Sequence, residues 1–398
     1  MSKAALASLS EAALRGKRVF VRVDFNVPVK NGAVGDDTRI RGAVPTIKRV
    51  LACGASCVLA SHLGRPKGEI KEELRMAPVA ERLRSLLSGV KVIAVRDVIG
   101  PEAQAAAAAL QPGEVLMLEN LRFEAGETKN DPGLARALAD FGEVFVQDAF
   151  GTCHRAHAST AGVPAVMKPA VAGLLLEKEI KAFHMVMDAP ERPLMAVIGG
   201  AKVSDKILVL QHLVSKVDAL LIGGGMAYTF LKARGETIGA SLCENDRLGT
   251  AREIIAAAAA RGVPLLLPSD HVCADRFAAD AATQVSEGGV PEGWMGLDLG
   301  PKSRAAYAEK LKEARTVVWN GPMGVFEMKP FAAGTLAVAH ALSASDCASV
   351  VGGGDSVAAV MQAGVADRIT HVSTGGGAFL EMLEGREMPG IAALDDAA

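Results

Sequence analysis
Short apolar runs recur along this chain, each ending in Gly, Asp, Asn or His and each followed by a stretch of helix formers. The first half supplies RVFVRVDFNV, ASCVLASHLGR, KVIAVRDV, EVLMLENLRF and EVFVQDAFG. The second supplies LMAVIGGAK, DALLIGGGMA, PLLLPSDHV, RTVVWNGPMG, ASVVGGGDS and ITHVSTGGGA. Strands that are apolar on both sides need cover on both faces, and helices alternating with parallel strands provide it. Eleven runs overshoot the eight strands of a closed β/α barrel, and 398 residues exceed what one core usually serves. The reading is α/β, with two doubly wound parallel-sheet domains at 1–172 and 191–380. Between them, AGLLLEKEIKAFHMVMDAP mixes apolar residues and charges at helical spacing, and Pro190 and Pro193 follow as stop signals. This predicts a connecting helix over 173–190, although an ordinary sheet-covering helix fits the same pattern.

Open parallel sheets bind ligands outside the carboxyl ends of their strands. In the first half those ends carry Asp24, Asn26, His62, Arg65, Arg122, His154, Arg155 and His157, with Arg39 in the loop GDDTRIRG after the first strand. A single loop arginine is usually a solvated charge. Four from separate loops point to a small ligand with more than one negative charge, because the guanidinium fork matches phosphate and carboxylate. Net charge is only −2, yet residues 1–172 carry 23 Lys+Arg against 18 Asp+Glu and the remainder 20 against 27. The skew favours an anion in the first half, while the small total makes no case for nucleic acid or a membrane surface. The three histidines have no carboxylate at a metal-ligand spacing, so each is read as a donor to an anion or as packing.

The second half ends its strands in glycine clusters: Gly199–Gly200, Gly223–Gly225, Gly352–Gly354 and Gly375–Gly377. None matches G-x-G-x-x-G or G-x-x-x-x-G-K-[ST], so neither a dinucleotide fingerprint nor a P-loop is present. Four clusters at sheet edges suit something large and flat lying against the backbone. Lys202 and Lys206 stand at i,i+4 and share a face if a helix begins there, and Glu327 offers a carboxylate for ribose hydroxyls. A nucleotide meets these demands. Asp355 then has two readings at the mouth of the helix after Gly353: an N-cap, or a ligand of a Mg²⁺ that arrives on the nucleotide.

Half of the residues are hydrophobic and 22% are charged, which fits a folded chain rather than a disordered one. The six cysteines show no paired spacing, MSKAALASLSEAALRGK lacks a signal-peptide core, and no apolar stretch approaches the ~20 residues that span a bilayer. Reduced thiols and a cytoplasmic location are expected.

The motifs VRVDFNVP, DDTRIR, SHLGRPKG, LENLRF, DAFGTCHRAHAST, GGAKVSDKI, IGGGMAYTF, WMGLDLGP, VVWNGPMGVFE, VGGGDS and STGGGAFLEMLEG, in that order, resemble the signatures of the phosphoglycerate kinase family over nearly the whole chain. The resemblance implies two domains facing each other across a cleft, with a tail from about 381 to 398 packing back on the first. It implies reversible phosphoryl transfer from 1,3-bisphosphoglycerate to ADP, giving 3-phosphoglycerate and ATP, by direct in-line transfer with domain closure in a monomer. The sugar-acid phosphate would contact Asp24, Phe25, Asn26, Arg39, His62, Leu63, Gly64, Arg65, Arg122 and Arg155. Mg-nucleotide would contact Gly200, Ala201, Lys206, Gly224, Gly225, Gly296, Asn320, Glu327, Gly353, Gly354, Asp355 and Ser356, with Asp355 on the metal. Arg39, Lys202, Lys206, Gly353 and Gly376 would stabilise the transferring group. Gln147, Cys153 and Ser356 depart from the family's usual Asn, Ala and Thr, and none removes a charged contact. A nicotinamide-dependent dehydrogenase is also doubly wound but needs the missing fingerprint loop; a non-catalytic nucleotide scaffold would have no use for the arginines.

Overall fold
A computed structural model describes residues 3–397. They divide into two compact units: one runs to Ile180 and takes in the segment from Glu387 onward, and the other is Lys181–Arg386. The first unit is built on a six-stranded sheet in the order Val92–Ala94, Val115–Met117, Ser56–Ala60, Arg18–Val23, Val144–Asp148, Ala170–Ala172, every neighbouring pair parallel. The second has six parallel strands in the order Leu265–Leu266, Ala219–Ile222, Leu194–Ile198, Thr316–Asn320, Ala348–Gly352, His371–Val372. In both, the chain lays strands on one side of its first strand and then on the other, so each sheet has a switch point beside that strand. All residues of Ser56–Ala60, Val144–Asp148, Leu194–Ile198 and Thr316–Asn320 are buried, as strands covered on both faces must be. Each fully buried Val, Leu, Ile or Phe contributes roughly 1.5–3 kcal/mol, so these central strands anchor the loops at their ends.

Ten of the eleven apolar runs each mark one strand. The eleventh, PLLLPSDHV, splits: Leu265–Leu266 is an edge strand, and beyond Pro268 the chain enters Asp270–Ala274. That strand is the centre of an antiparallel three-stranded sheet with Thr283–Glu287 and Met295–Leu299, which apolar runs do not reveal because Thr283–Glu287 is mostly exposed. The sixth strand of the first sheet, Ala170–Ala172, has only three residues, two of them alanine, and also escapes the pattern.

The helix Leu174–Met187 begins in the first unit and ends in the second. Its start is held by Asp148, whose Oδ1 accepts from the Leu175 and Leu176 amides at 3.0 and 3.2 Å, and by Thr46, whose hydroxyl accepts from Leu174 N at 3.0 Å. Within the first unit, the segment from Glu387 docks through Gly390 N on Cys153 O at 2.9 Å. Asp395 then accepts from Ala4 N and Ala170 N, each at 2.8 Å.

Candidate functional site: a cationic pocket and a glycine shelf
In the first unit the sheet's carboxyl edge gathers the predicted anion ligands into one network. Arg39 is not in a loop: it is the second residue of the helix Thr38–Ala52, after a short hairpin. Its Nη1 donates to Asp24 Oδ2 at 3.0 Å and to Asn26 O at 3.2 Å. Asn26 Oδ1 accepts from Gly64 N at 2.9 Å, and Gly64 O accepts from Arg122 Nη1 at 2.7 Å. Phe25 N is held by Ser61 Oγ, and Leu63 by the carboxamide of Asn120, so the backbone of 24–26 and 62–64 is pinned from beneath. Beside this run lies a pocket of about 480 Å³ whose lining includes Arg65, Lys67, Arg122, Lys129 and Arg155 against the single carboxylate Glu124. Arg122 is buried, its Nε has no hydrogen-bond partner, and burial together with Arg22 and Arg155 pulls its pKa down to about 10. An unpaired buried donor among like charges is costly, and an anion relieves both defects.

His62 and His157 are neutral. Burial and the surrounding arginines pull His62 well below its ordinary range and His157 down to about 3. His154 accepts from Arg155 Nε at 2.9 Å.

In the second unit, Ile198, Asn320 and Gly352 align across the three central strands, and the loops leaving them form the site. Gly353 caps the helix Gly354–Gln362 with φ 94°, and a Cβ there would stand 2.7 Å from Asn320 Nδ2. Asn320 donates to Gly352 O at 2.8 Å and accepts from Lys206 Nζ in a short bond. Ser356 Oγ accepts from Gly321 N at 2.6 Å. The helix Gly376–Leu383 opens alongside, a Cβ on Gly376 being 3.8 Å from Gly354 N. Two helix N-termini therefore present N–H groups and positive dipole ends together. Burial lowers the Lys206 pKa, against Asp205, Asp355 and Glu384.

Gly224 and Gly225 lie directly on Gly200 and Ala201: added Cβ atoms would stand 2.5 Å from Gly200 O and 3.0 Å from Ala201 O. Half-exposed Leu242 flanks this bare shelf, and Gly296, whose amide donates to Ser241 Oγ at 2.9 Å, rests on the Tyr228 hydroxyl.

Two further expectations change. The helix after Gly200 begins at Ile207, so Lys202 and Lys206 do not share a helical face: Lys206 is the N-cap and Lys202 is exposed in the preceding turn. Asp355 is not an N-cap either, since Gly353 holds that position and Asp355 lies exposed in the first turn. Glu327 is exposed on the connection after Thr316–Asn320. Among the described residues no group of three His, Cys, Asp or Glu is placed to hold a metal. One exposed carboxylate suits Mg²⁺ that brings phosphate and water ligands with it. The sequence reading missed Lys67 and Lys129, whose SHLGRPKG and GETKND loops look like ordinary solvated turns, and Arg22, hidden inside an apolar strand.

A parallel-sheet unit with a cationic pocket, and another with paired glycine-started helices and a bare backbone shelf, define a class: phosphotransferases that pair a nucleotide with a small anionic partner. The family model for phosphoglycerate kinase matches residues 9–386. The chain is 59% identical over 390 residues to phosphoglycerate kinase of Moorella thermoacetica, covering 98% of this chain and 99% of that one. It is 56% identical to that of Acaryochloris marina over the whole of both. The solved structure of phosphoglycerate kinase from Coxiella burnetii superposes with a TM-score of 0.90 at 43% identity, and that from Pyrococcus horikoshii with 0.82 at 32%, each covering 98% of both chains. The chain belongs to the phosphoglycerate kinase family, and is an enzyme of glycolysis.

Proposed function
We propose that the first unit binds the three-carbon acid phosphate and the second binds Mg-nucleotide, for reversible phosphoryl transfer from 1,3-bisphosphoglycerate to ADP. The observation that carries this is the pocket whose buried Arg122 Nε has no partner while four other cations stand around it. Arg65, Arg122 and Arg155 take the phosphate, and Asp24, Asn26 and His62 orient the rest of the acid beside Arg39. Phe25, Leu63 and Gly64 contribute the backbone that shapes it. On the shelf of Gly200, Ala201, Gly224, Gly225 and Gly296 the base finds flat backbone, and Glu327 takes the ribose. The amides of Gly353, Gly354, Ser356 and Gly376 receive the phosphates, with Lys206 held over them by Asn320 and Lys202 entering from its exposed turn.

The acceptor oxygen is a carboxylate, ionised at pH 7 with a reference pKa near ~4. No general base is required, and catalysis reduces to positioning and charge stabilisation. When bound, Mg²⁺ neutralises charge on the phosphate oxygens, and Asp355 is its protein ligand. Direct transfer requires the two ligands, held by different units, to come within bonding distance, so closure is a step of the reaction, and water excluded by it cannot hydrolyse ATP. We further propose that the enzyme acts in the cytoplasm as a monomer. Its six cysteines are free, and among the described residues no helix is long and apolar enough to cross a membrane. The test is ATP formation from ADP and the acyl phosphate by the purified chain. Turnover of both substrates, lost in Arg122→Ala with nucleotide binding intact, is expected; nucleotide binding without any transfer would leave only a scaffold.

A further inference from the structure
Arg22 is a fully buried cation between the apolar residues Val21 and Val23 of the strand Arg18–Val23. Each nitrogen has a partner: Nε donates to Ser159 Oγ at 2.7 Å, Nη1 to Val23 O, and Nη2 to His62 Nδ1 at 3.3 Å. Ser159 passes the connection on. Its single hydroxyl proton goes to Glu127 Oε1 at 2.6 Å, and its amide donates to Glu127 Oε2 at 3.0 Å. Glu127 is equally sealed from solvent. Burial pushes its carboxyl up and the Arg22 guanidinium down, and each charge resists the shift of the other. A buried charge is tolerated when it is paired and fully hydrogen-bonded, so the carboxylate is what keeps Arg22 in place.

Two consequences reach the pocket. Arginine can only donate, so His62 Nδ1 must accept, and the ring proton of the neutral imidazole is confined to Nε2. Glu127 also ties together two loops: its own turn, Glu127–Lys129, supplies Lys129 to the pocket, and the segment it grips at Ser159 follows Arg155 by four residues. We propose that Glu127 is a positioning residue of the phosphoglycerate site: through Ser159 and Arg22 it holds His62 as the Nε2–H tautomer and keeps the Lys129 and Arg155 loops in register. This rests on the assignment of His62 and Arg155 to that ligand made above.

The test uses Glu127→Gln and the milder Ser159→Ala, which leaves both charges but removes the hydroxyl between them. Nitrogen-15 NMR of the ligand-free full chain reads the tautomer, and initial rates with 3-phosphoglycerate and MgATP read the two KM values separately. In wild type His62 shows one neutral tautomer, with Nε2 protonated. In both variants that tautomer becomes mixed, the KM for 3-phosphoglycerate rises at least about tenfold, the scale expected for buried groups left unpaired, and the KM for MgATP stays within about twofold. If Glu127→Gln does not fold, Ser159→Ala decides alone. An unchanged tautomer, or an unchanged 3-phosphoglycerate KM in folded variants, overturns the proposal. His62→Ala and Arg155→Ala separate the two levels. If they raise that KM while the network variants do not, only Glu127's role fails; if they too leave it unmoved, the site assignment fails.

Discussion

Gly353→Ala probes the proposed nucleotide mouth without replacing any side chain there. Gly353 sits at φ 94° and ψ 135°, a region that residues with a Cβ occupy at a cost of about 1–3 kcal/mol. The new methyl would also lie 2.7 Å from Asn320 Nδ2, so Asn320 must move and give up its 2.8 Å bond to Gly352 O. A buried amide losing its partner costs about 1–3 kcal/mol more. The sum is roughly 2–6 kcal/mol, which for a unit of the size of Lys181–Arg386 lowers the melting temperature by roughly 4–24 °C. Because Lys206 Nζ bonds to the same Asn320 side chain, its ammonium shifts too, and turnover falls beyond what stability explains. Gly354→Ala is the control, since a Cβ there meets nothing within 4 Å and its φ is not positive. Calorimetry of both variants, with ATP-formation rates measured below either transition, makes the comparison. Two variants that melt together would show that neither the strain nor the Asn320 contact is what the geometry implies.

Arg39→Ala should cut turnover by orders of magnitude and Arg39→Lys should restore little, because Arg39 reaches Asp24 and Asn26 through Nη1 alone and can offer the other nitrogens of its fork to an anion, whereas a lysine has one nitrogen for both tasks; a lysine variant with wild-type rates would reduce Arg39 to a general charge. Asp355→Asn, at an exposed first-turn position that caps nothing, should melt within about 2 °C of wild type yet need far more magnesium for half-maximal rate, and an unmoved magnesium midpoint would remove Asp355 from the metal. Burial raises the Asp148 pKa from its ordinary value to about 7. The folded state therefore holds a proton that the unfolded state loses, and this contribution, present at pH 4, is lost as pH rises toward 7. Asp148→Asn should accordingly melt closer to wild type at pH 5 than at pH 8, where it should be the more stable; parallel melting curves across that range would show Asp148 ionised throughout. Small-angle scattering should show compaction on adding both substrates, and an unchanged radius of gyration would count against closure.

The central strands were legible because they are continuous Val, Ile and Leu runs, and the candidate site was legible because open parallel sheets offer ligand sites at the ends of such strands. Asp24, Asn26, Gly64 and Arg122 all fall at those ends, and the structure joins them by hydrogen bonds. What sequence could not convey was burial of charge. Arg22 and Glu127 look like any other Arg and Glu in a chain that is 22% charged, and only packing shows that both are sealed inside. The start of the helix at Ile207 was lost for a related reason: Lys206 takes its place by bonding to Asn320, a partner more than a hundred positions away. The antiparallel sheet escaped because its strand Thr283–Glu287 is polar and open to solvent, so nothing in its pattern marks it as paired.

The segment from Glu387 onward, which docks on Cys153, Ala4 and Ala170, follows the whole of Lys181–Arg386 in the chain. During synthesis the ribosome delivers the second unit complete before the last pieces of the first are available. The later-made unit can thus reach its final form earlier, while the Ala170–Ala172 edge and the loop leading to Arg155 await a strap that is made only after it. A chain released early would carry an intact glycine shelf in one unit and, in the other, a cationic pocket whose supporting loop was never fastened.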